Sequence, residues 1–123
     1  MGASGARTVR VINETRGSEL GDRVAVARSF LSRGRGLMFR RFLAPGSGLV
    51  IEPCSSIHTM WMRFPIDVLY MSREHEVLRA DSAMAPWRIG PLRPHSRYVV
   101  ELPAGVIRAS GTQAGDRLRL VAE

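Results

Sequence analysis

Apolar and polar residues alternate in short runs along most of the chain, and this period of two is typical of strands. Turn-forming residues separate the runs and predict turns, including a hairpin tip at Glu74–His75. The runs predict strands at residues 8–12, 23–27, 48–52, 57–64, 68–71, 77–80, 98–102 and 117–122. We expect the second strand to pair antiparallel with the first, because only a turn-rich segment separates them.

Helical spacing is limited to two short segments. Ser29 is a typical N-cap residue, and the apolar residues after it predict a helix to about Phe39. A helical turn is predicted within residues 103–110, with Pro103 at its start. Residues 83–97 contain three prolines and Trp87, and they predict a long ordered loop.

These elements together predict the fold class α+β. We expect a compact single domain, mostly antiparallel β with a small barrel-like sheet and one or two short helices. Residues 1–6 are predicted to be a flexible N-terminus, and residues 7–123 form the β-rich domain. A chain of 123 residues is long enough for one hydrophobic core.

Residues 56–70 form the densest apolar stretch of the chain. Both faces of the strand predicted at 57–64 carry large apolar side chains, so we expect it to be covered on both sides. Pro65 has no N–H group and predicts a bend after Phe64. Asp67 follows the bend, where its carboxylate can accept backbone N–H groups or pair with Arg63.

Charge, cysteine content and the lack of long apolar segments restrict the class of protein and its expected location. Eighteen arginines, no lysine and 11 acidic residues give a net charge of +7. A single cysteine, Cys54, excludes an intramolecular disulfide framework. The sequence shows no signal peptide and no stretch of transmembrane length, so we expect a cytoplasmic protein without a membrane partner. The oligomeric state stays open.

Four segments of the chain resemble a known family in order and spacing. They are RGRGLMFR (33–40), IHTMWMRFPIDVLYM (57–71), VVELPAG (99–105) and GDRL (115–118). Their combination is similar to the bacterial and archaeal family called domain of unknown function 192, or uncharacterised protein family 0127. The resemblance implies a single compact α+β domain, and it implies no activity because none is established for the family. Many members carry export signals, which this chain does not show.

Polar and aromatic residues near the bend predict a ligand site. The hypothesis is a cleft between the central bend and residues 85–97 that binds a small anionic or polar ligand, with arginine as an anion clamp and tryptophan as a flat wall. The expected lining residues are His58, Trp61, Arg63, Asp67, Trp87 and Arg88. The structural alternatives are an Arg63–Asp67 pair that only fixes the bend and a Trp87 that only pins the loop to the core.

Enzymatic chemistry is a second hypothesis. His58 and Asp67 are candidates for an acid and a base, although no catalytic residue is assigned. Cys54 and His58 are a weaker candidate for a thiolate and its base, since no residue that orients the histidine is identifiable. No metal or other cofactor is expected, because His58, His75 and His95 lack the spacing of metal ligands.

Nucleic-acid binding is a third hypothesis. The run from Arg23 to Arg41 contains six arginines, interleaved phenylalanines and no acidic residue. The structural alternative is the solvated face of a helix whose other face is apolar. Glu101 is expected to be structural, at the end of a strand where its carboxylate accepts N–H groups of a loop.

Overall fold

The computed structural model describes residues 7–29, 33, 36–37 and 40–122. The elements within these residues are β1 (Arg7–Asn13), β2 (Ser18–Ala27), β3 (Ser47–Ile51), β4 (Ile66–Met71), β5 (Val77–Met84), β6 (Tyr98–Pro103), α1 (Val106–Ser110) and β7 (Leu118–Ala122). Seven of the eight predicted strands are therefore confirmed, with shifted ends. The predicted N-terminal tail lies outside the described residues, and most of the helix predicted from Ser29 to about Phe39 does too.

The strands form a single sheet in the order β5-β4-β6-β3-β2-β1-β7. Every pairing between these strands is antiparallel except that of β2 with β3, which is parallel. The sheet curls, so that its two edge strands approach each other at one corner. There the Val77 N–H donates to the Asp116 carbonyl at 2.8 Å, and the Leu118 N–H donates to the His75 carbonyl at 2.9 Å. The described residues thus form a mostly antiparallel half-barrel with one short helix at Val106–Ser110, which agrees broadly with the predicted class.

The two faces of the curled sheet bury separate groups of side chains. The inner cluster lies inside the curl and includes Val24, Val50, Val100, Leu118 and Ile107 of α1. The outer cluster lies on the opposite face, beneath the loops, and includes Leu37, Ile51, Ile57, Met62, Val68 and Val99. Each fully buried side chain of this kind stabilises the fold by roughly 1.5–3 kcal/mol before entropy is counted. Strand β4 is buried along its whole length because it is covered on both faces.

The predicted strand at residues 57–64 is wrong. His58 forms an isolated bridge with Ile89, and the next residues form turns and bends until β4 begins at Ile66, directly after Pro65. The backbone of Thr59 is bonded to the loop after β5, with its N–H on the Arg88 carbonyl and its carbonyl on the Trp87 N–H. Because these backbone groups bond to a loop and not to a neighbouring strand, the segment forms no regular ladder of strand hydrogen bonds. The predicted bend before Pro65 is confirmed.

Two other boundaries differ from the sequence prediction. Strand β5 continues to Met84 rather than Ala80, because it remains paired with β4 as far as Ile66. Pro103 ends β6 instead of starting the helix, which begins at Val106 after Gly105 in the left-handed conformation (φ 103°). Within the described part of the chain, no helix has the length and apolarity needed to cross a membrane.

Candidate functional site

Glu101 is a carboxylic acid embedded in an apolar sheet. In β6 it pairs with Leu49 of β3 and Val68 of β4, and its side chain lies on the loop-covered face, where these neighbours are apolar. Its exposed fraction is only 2 %. The Oε1 atom has no hydrogen-bond partner among the described residues. Burial raises the pKa of Glu101 to about 8, so that the neutral acid predominates at pH 7.

A small cavity of about 40 Å³ lies against Glu101. Above it lies an open cleft of about 670 Å³ between residues 53–58, residues 94–97 and Arg33. The two spaces share five wall residues, which are Arg33, Ile51, Cys54, Ser56 and His58. The carboxyl group of Glu101 therefore lies against a small cavity that borders the open cleft through these shared wall residues.

The mouth of the cleft is cationic. Arg33 donates through Nη1 to the Pro53 carbonyl at 3.1 Å, while its buried Nε has no partner among the described residues. Arg97 lies 3.7 Å from the carboxylate of Glu52 and is half exposed. His58 accepts the Met60 N–H at Nδ1, which leaves its Nε2–H free to donate. The mouth thus offers several donors suited to an anionic or strongly accepting group.

Cys54 contributes a thiol to the wall. Its Sγ donates to the Ser56 carbonyl at 2.8 Å. Burial raises the pKa of the Cys54 thiol, and the charge of Glu101 raises it further. The group therefore remains a thiol near neutral pH, and the geometry does not favour the nucleophilic thiolate considered from the sequence.

Backbone hydrogen bonds join the two loops that form the cleft. Cys54 N–H donates to Arg97 O at 2.9 Å, Arg93 N–H donates to Ser55 O at 2.8 Å, and Gly90 N–H donates to Ile57 O at 2.8 Å. The proline-rich loop is therefore ordered along its length by residues 54–59. Gly90 is required for this approach, because a Cβ atom there would lie 2.6 Å from the Tyr70 hydroxyl oxygen.

Buried polar atoms without partners concentrate in this region. Within the described residues they are Arg33 Nε, Tyr70 Oη and Glu101 Oε1. Two of these residues line the small cavity. The Tyr70 hydroxyl lies beneath Gly90, next to Ile57 of the cavity wall, and burial raises the pKa of Tyr70 to about 12. Native proteins leave few buried polar groups unpaired, so such a concentration indicates a functional site.

The six residues predicted to line a cleft occupy four different environments, of which that of Asp67 is described separately below. His58 lines the cleft and the small cavity. Trp61 and Trp87 pack against each other in an edge arrangement, with ring centroids 4.8 Å apart. Arg63 and Arg88 have exposed side chains and lie outside the residues that line the cleft. The structure therefore brings His58 to the cleft and places the tryptophans in a separate pair, and whether any of them binds a ligand stays a prediction.

Asp67 has a role inside the fold. Its side chain is fully buried, and Oδ1 accepts the Ala83 N–H at 2.8 Å. Oδ2 accepts the N–H groups of Gly105 at 3.1 Å and Ile107 at 2.8 Å. The carboxylate thereby caps α1 from a neighbouring strand, because Gly105 has no side chain to do so. Acceptance of backbone N–H groups is confirmed, and no ion pair joins Asp67 to Arg63 among the described residues.

Glu101 was expected to accept loop N–H groups, and among the described residues none donates to its Oε1. The sequence does contain a signal for the burial of Glu101. Val99 and Glu101 are two residues apart in a predicted strand, so their side chains lie on the same face of the sheet, which is the buried face. Arg33, Cys54 and Arg97 also line the cleft, but no local pattern of residues indicates that they lie together. Tertiary packing brings them together, since they come from three separate segments of the chain.

Three of the four segments that carry the family resemblance contribute to the small cavity: Gly36–Leu37 from the first, Ile57, His58 and Met62 from the second, and Glu101 from the third. The fourth segment closes the curl of the sheet instead, through the Asp116 carbonyl. Fold and site together define a small half-barrel domain whose loop-covered face holds an open cleft next to a small cavity lined by a buried glutamic acid.

The comparison with known sequences agrees with this class. The sequence profile of DUF192, described as "Uncharacterized ACR, COG1430", matches residues 11–120. A UPF0127 protein from Pyrococcus furiosus is 36 % identical over 115 residues, covering 88 % of this chain and 95 % of that protein. A UPF0127 protein from Pyrococcus horikoshii is 29 % identical over 115 residues, with 89 % and 96 % covered. The chain belongs to the DUF192 family.

Solved structures share the fold. A crystal structure from Sinorhizobium meliloti 1021, described as a proposed transcription regulator, superposes with a TM-score of 0.78 at 25 % identity, covering 94 % of each chain. A protein of unknown function from Novosphingobium aromaticivorans superposes with a TM-score of 0.79 at 21 % identity, covering 97 % of this chain and 89 % of that one. The second similarity concerns the fold alone.

Proposed function

We propose that this protein binds a small anionic molecule in the cleft, with Glu101 beneath the ligand. The observation that carries the proposal is the buried Oε1 of Glu101, which lacks a partner among the described residues, in the wall of a small cavity that shares five wall residues with the cleft. An unpaired buried polar group costs roughly 1–3 kcal/mol. A ligand that supplies the missing hydrogen bond would offset that cost.

The charge of the mouth selects the ligand class. Arg33 and Arg97 supply guanidinium donors, and His58 supplies an Nε2–H donor. The residues between them, Ser55, Ser56 and Ser96, add hydroxyl groups to the cleft wall. A volume of about 670 Å³ is in the range of ordinary small-molecule sites. A carboxylate or phosphate ester of modest size fits these properties best.

The protonation state of Glu101 supports an anion rather than a cation. A neutral carboxylic acid donates a hydrogen bond to an anionic oxygen, whereas an ionised one would repel it. Because burial raises the pKa of Glu101 to about 8, the donor form is present at neutral pH. Anion binding is therefore expected to weaken as the pH rises through 8.

The alternative functions have less support from the geometry. An enzyme that uses His58 and Asp67 as acid and base requires both side chains at one open site, whereas both oxygens of Asp67 accept backbone N–H groups. Nucleic-acid binding through residues 23–41 gains one observation, the description of the Sinorhizobium meliloti relative as a proposed transcription regulator. It therefore belongs in the binding screen.

The test is a thermal-shift screen against small carboxylates, phosphate esters and short oligonucleotides, followed by calorimetry of the hits. We expect a small anion to raise the melting temperature, since a ligand at about a hundred times its dissociation constant stabilises a fold by about 2.7 kcal/mol. Arg97→Gln should weaken binding about tenfold or more, because it removes a charge-assisted hydrogen bond worth roughly 1.5–3 kcal/mol. Arg108→Gln on α1 is the matched control, since it removes the same charge from an exposed residue away from the cleft.

Glu101→Gln separates a specific site from general attraction to a basic protein. The amide keeps a donor but cannot ionise, so its affinity for the anion should stay constant between pH 7 and about 9, while the wild-type affinity falls. Equal losses in Arg97→Gln and Arg108→Gln would remove the cleft from consideration. Salt-sensitive shifts with oligonucleotides alone would favour the nucleic-acid function instead.

A further inference from the structure

A group of large apolar side chains is exposed on the two loops that cover the outer cluster. Trp61 is 53 % exposed, Trp87 49 %, Ile89 79 % and Leu92 69 %. The loops that carry them are joined by the bonds around Thr59 and by the His58–Ile89 bridge. We call these four side chains, with the exposed Arg63 and Arg88, the outer-loop patch. Exposed apolar groups gathered on one surface mark interaction sites more often than single ones do.

The backbone holds both tryptophans in an unfavourable conformation. Trp61 has φ 65° and Trp87 has φ 62°, the left-handed region that bulky residues rarely adopt. Buried Thr59 fixes this geometry, because its carbonyl accepts the Trp87 N–H at 2.9 Å and the Met62 N–H at 3.2 Å, and its Oγ1 accepts the Arg88 N–H at 2.8 Å. The fold thus maintains two strained residues whose indole rings are half exposed rather than buried in the core.

The charge of the two loops is of one sign. Segments 53–65 and 85–97 contain Arg63, Arg88, Arg93 and Arg97, and they contain no aspartate or glutamate. A surface that combines exposed indole and aliphatic groups with arginines complements the interface of an anionic bilayer. There, indole rings lie at the level of the headgroups, and guanidinium groups pair with phosphates.

We propose that the outer-loop patch binds the surface of anionic phospholipid membranes. The exposed Ile89 and Leu92 favour lipid over nucleic acid, because aliphatic groups gain little from bases. The two indole planes meet at 61°, so no base can stack between them. A second copy of the chain would bring like charges together. The sequence predicted no membrane partner because it shows no spanning segment, and this proposal departs from that prediction, since binding to a surface requires no such segment.

Intrinsic fluorescence tests this proposal directly, because the only two tryptophans of the chain are Trp61 and Trp87. The whole protein is mixed with vesicles of phosphatidylcholine alone or with an equal part of phosphatidylglycerol. We expect a blue shift of tryptophan emission, and quenching by brominated acyl chains, only with the anionic vesicles and less at higher salt. This measurement uses the wild-type chain and does not depend on any variant folding.

Paired variants, followed by co-sedimentation with vesicles, locate the surface. The double variant Arg63→Gln/Arg88→Gln should bind roughly 25-fold more weakly, at about fivefold per arginine. Its control, Arg73→Gln/Arg108→Gln, removes the same charge from the hairpin tip and α1 and should stay within about twofold of wild type. Trp61→Ala/Trp87→Ala should lose most vesicle binding while keeping the circular dichroism of the folded chain.

Three results would overturn the proposal. The first is absence of binding to the anionic vesicles. The second is binding without a blue shift and with equal losses in both arginine pairs, which would indicate general charge attraction. The third is quenching of the tryptophans by single-stranded DNA at salt that abolishes vesicle binding, which would assign the patch to nucleic acid. All three are independent of whether the cleft binds a small anion.

Discussion

Glu101 and Asp67 are both buried carboxyl groups, yet their surroundings differ at the level of single atoms. Asp67 accepts three backbone N–H groups and stabilises the start of α1. Glu101 has apolar neighbours in the adjacent strands, and its Oε1 lacks a partner among the described residues. The same chemical group thus supports structure at one position and costs stability at the other. This cost makes Glu101 the better candidate for function.

The first prediction concerns the pH dependence of stability. The pKa of Glu101 is about 8 in the fold and 4.5 in the unfolded chain. Between pH 4.5 and 8, the unfolded chain therefore releases a proton that the folded chain keeps. The free energy of unfolding should therefore fall with rising pH across this window, by at most about 1.4 kcal/mol per pH unit from this residue. Glu101→Gln should abolish that slope and be more stable than wild type at pH 7.

Urea denaturation at several pH values from 4.5 to 8 measures this effect. Glu74→Gln is the control, because Glu74 is exposed at the hairpin tip and its substitution should leave the slope unchanged. If Glu101→Gln were less stable than wild type at pH 7, the carboxyl group would have to be paired and ionised in the fold, which contradicts its assignment as a neutral acid.

At the scale of elements, Thr59 decides the shape of residues 57–64. Its hydroxyl donates to the Ala85 carbonyl at 2.6 Å and accepts the Arg88 N–H at 2.8 Å, and the residue is fully buried. These bonds join the segment before β4 to the loop after β5. The backbone hydrogen bonds of Cys54, Arg93 and Gly90 described above join the same two loops. Together these bonds order one wall of the cleft and the base of the outer-loop patch.

Thr59→Val should therefore destabilise the fold by about 1–3 kcal/mol, because valine keeps the shape but leaves buried backbone groups of the loop unpaired. Thr8→Val in β1 is the matched control, since Thr8 is only partly buried in a strand and the change there should stay within about 0.5 kcal/mol. Chemical denaturation compares the two variants. Equal stabilities would mean that Thr59 does not hold the loops together.

At the scale of the whole molecule, the curl of the sheet depends on a polar corner. Asp116 is buried and accepts hydrogen bonds from the side chains of Asn13 and Arg16 and from the Gln113 N–H. It connects the end of β1 with the segment between α1 and β7. Its backbone carbonyl accepts the N–H of Val77, the first residue of the edge strand β5. Burial raises the pKa of Asp116, but the hydrogen bonds from Arg16, Asn13 and Gln113 outweigh burial and lower it overall.

A group with a lowered pKa stabilises the fold above its unfolded pKa of 3.8, and that contribution is lost as the pH falls through the folded value. Asp116→Asn should therefore cost about 2 kcal/mol or more at pH 7, through the lost charge-assisted hydrogen bonds. The difference from wild type should narrow as the pH falls below 3.8, where the unfolded chain takes up a proton, and it should be lost once the pH passes the lower pKa of the folded carboxyl group. Unfolding measured from pH 3 to 7 checks this, and a difference that stays constant with pH would contradict it.

The strands could be predicted from the sequence because a period of two is a local property. Each run of alternating residues needs only one apolar face, and this pattern predicts the strands from β1 to β7. The bend at Pro65 is a local property too, because the proline ring fixes φ. Residues 57–64 alternate too, but they form a loop in which Ile57, Thr59 and Met62 are buried and the other side chains are partly or fully exposed. Periodicity alone does not distinguish the two cases.

Residue types and their order suffice to predict seven of the strands, the basic charge and the family resemblance. Which carboxyl group is satisfied depends on packing, since the N–H partners of Asp67 come from elements 16 to 40 residues away. Packing also brings Arg33, Cys54, His58 and Arg97 around one cleft. Partners of a buried polar group are set by packing between distant segments, and no local pattern records that packing.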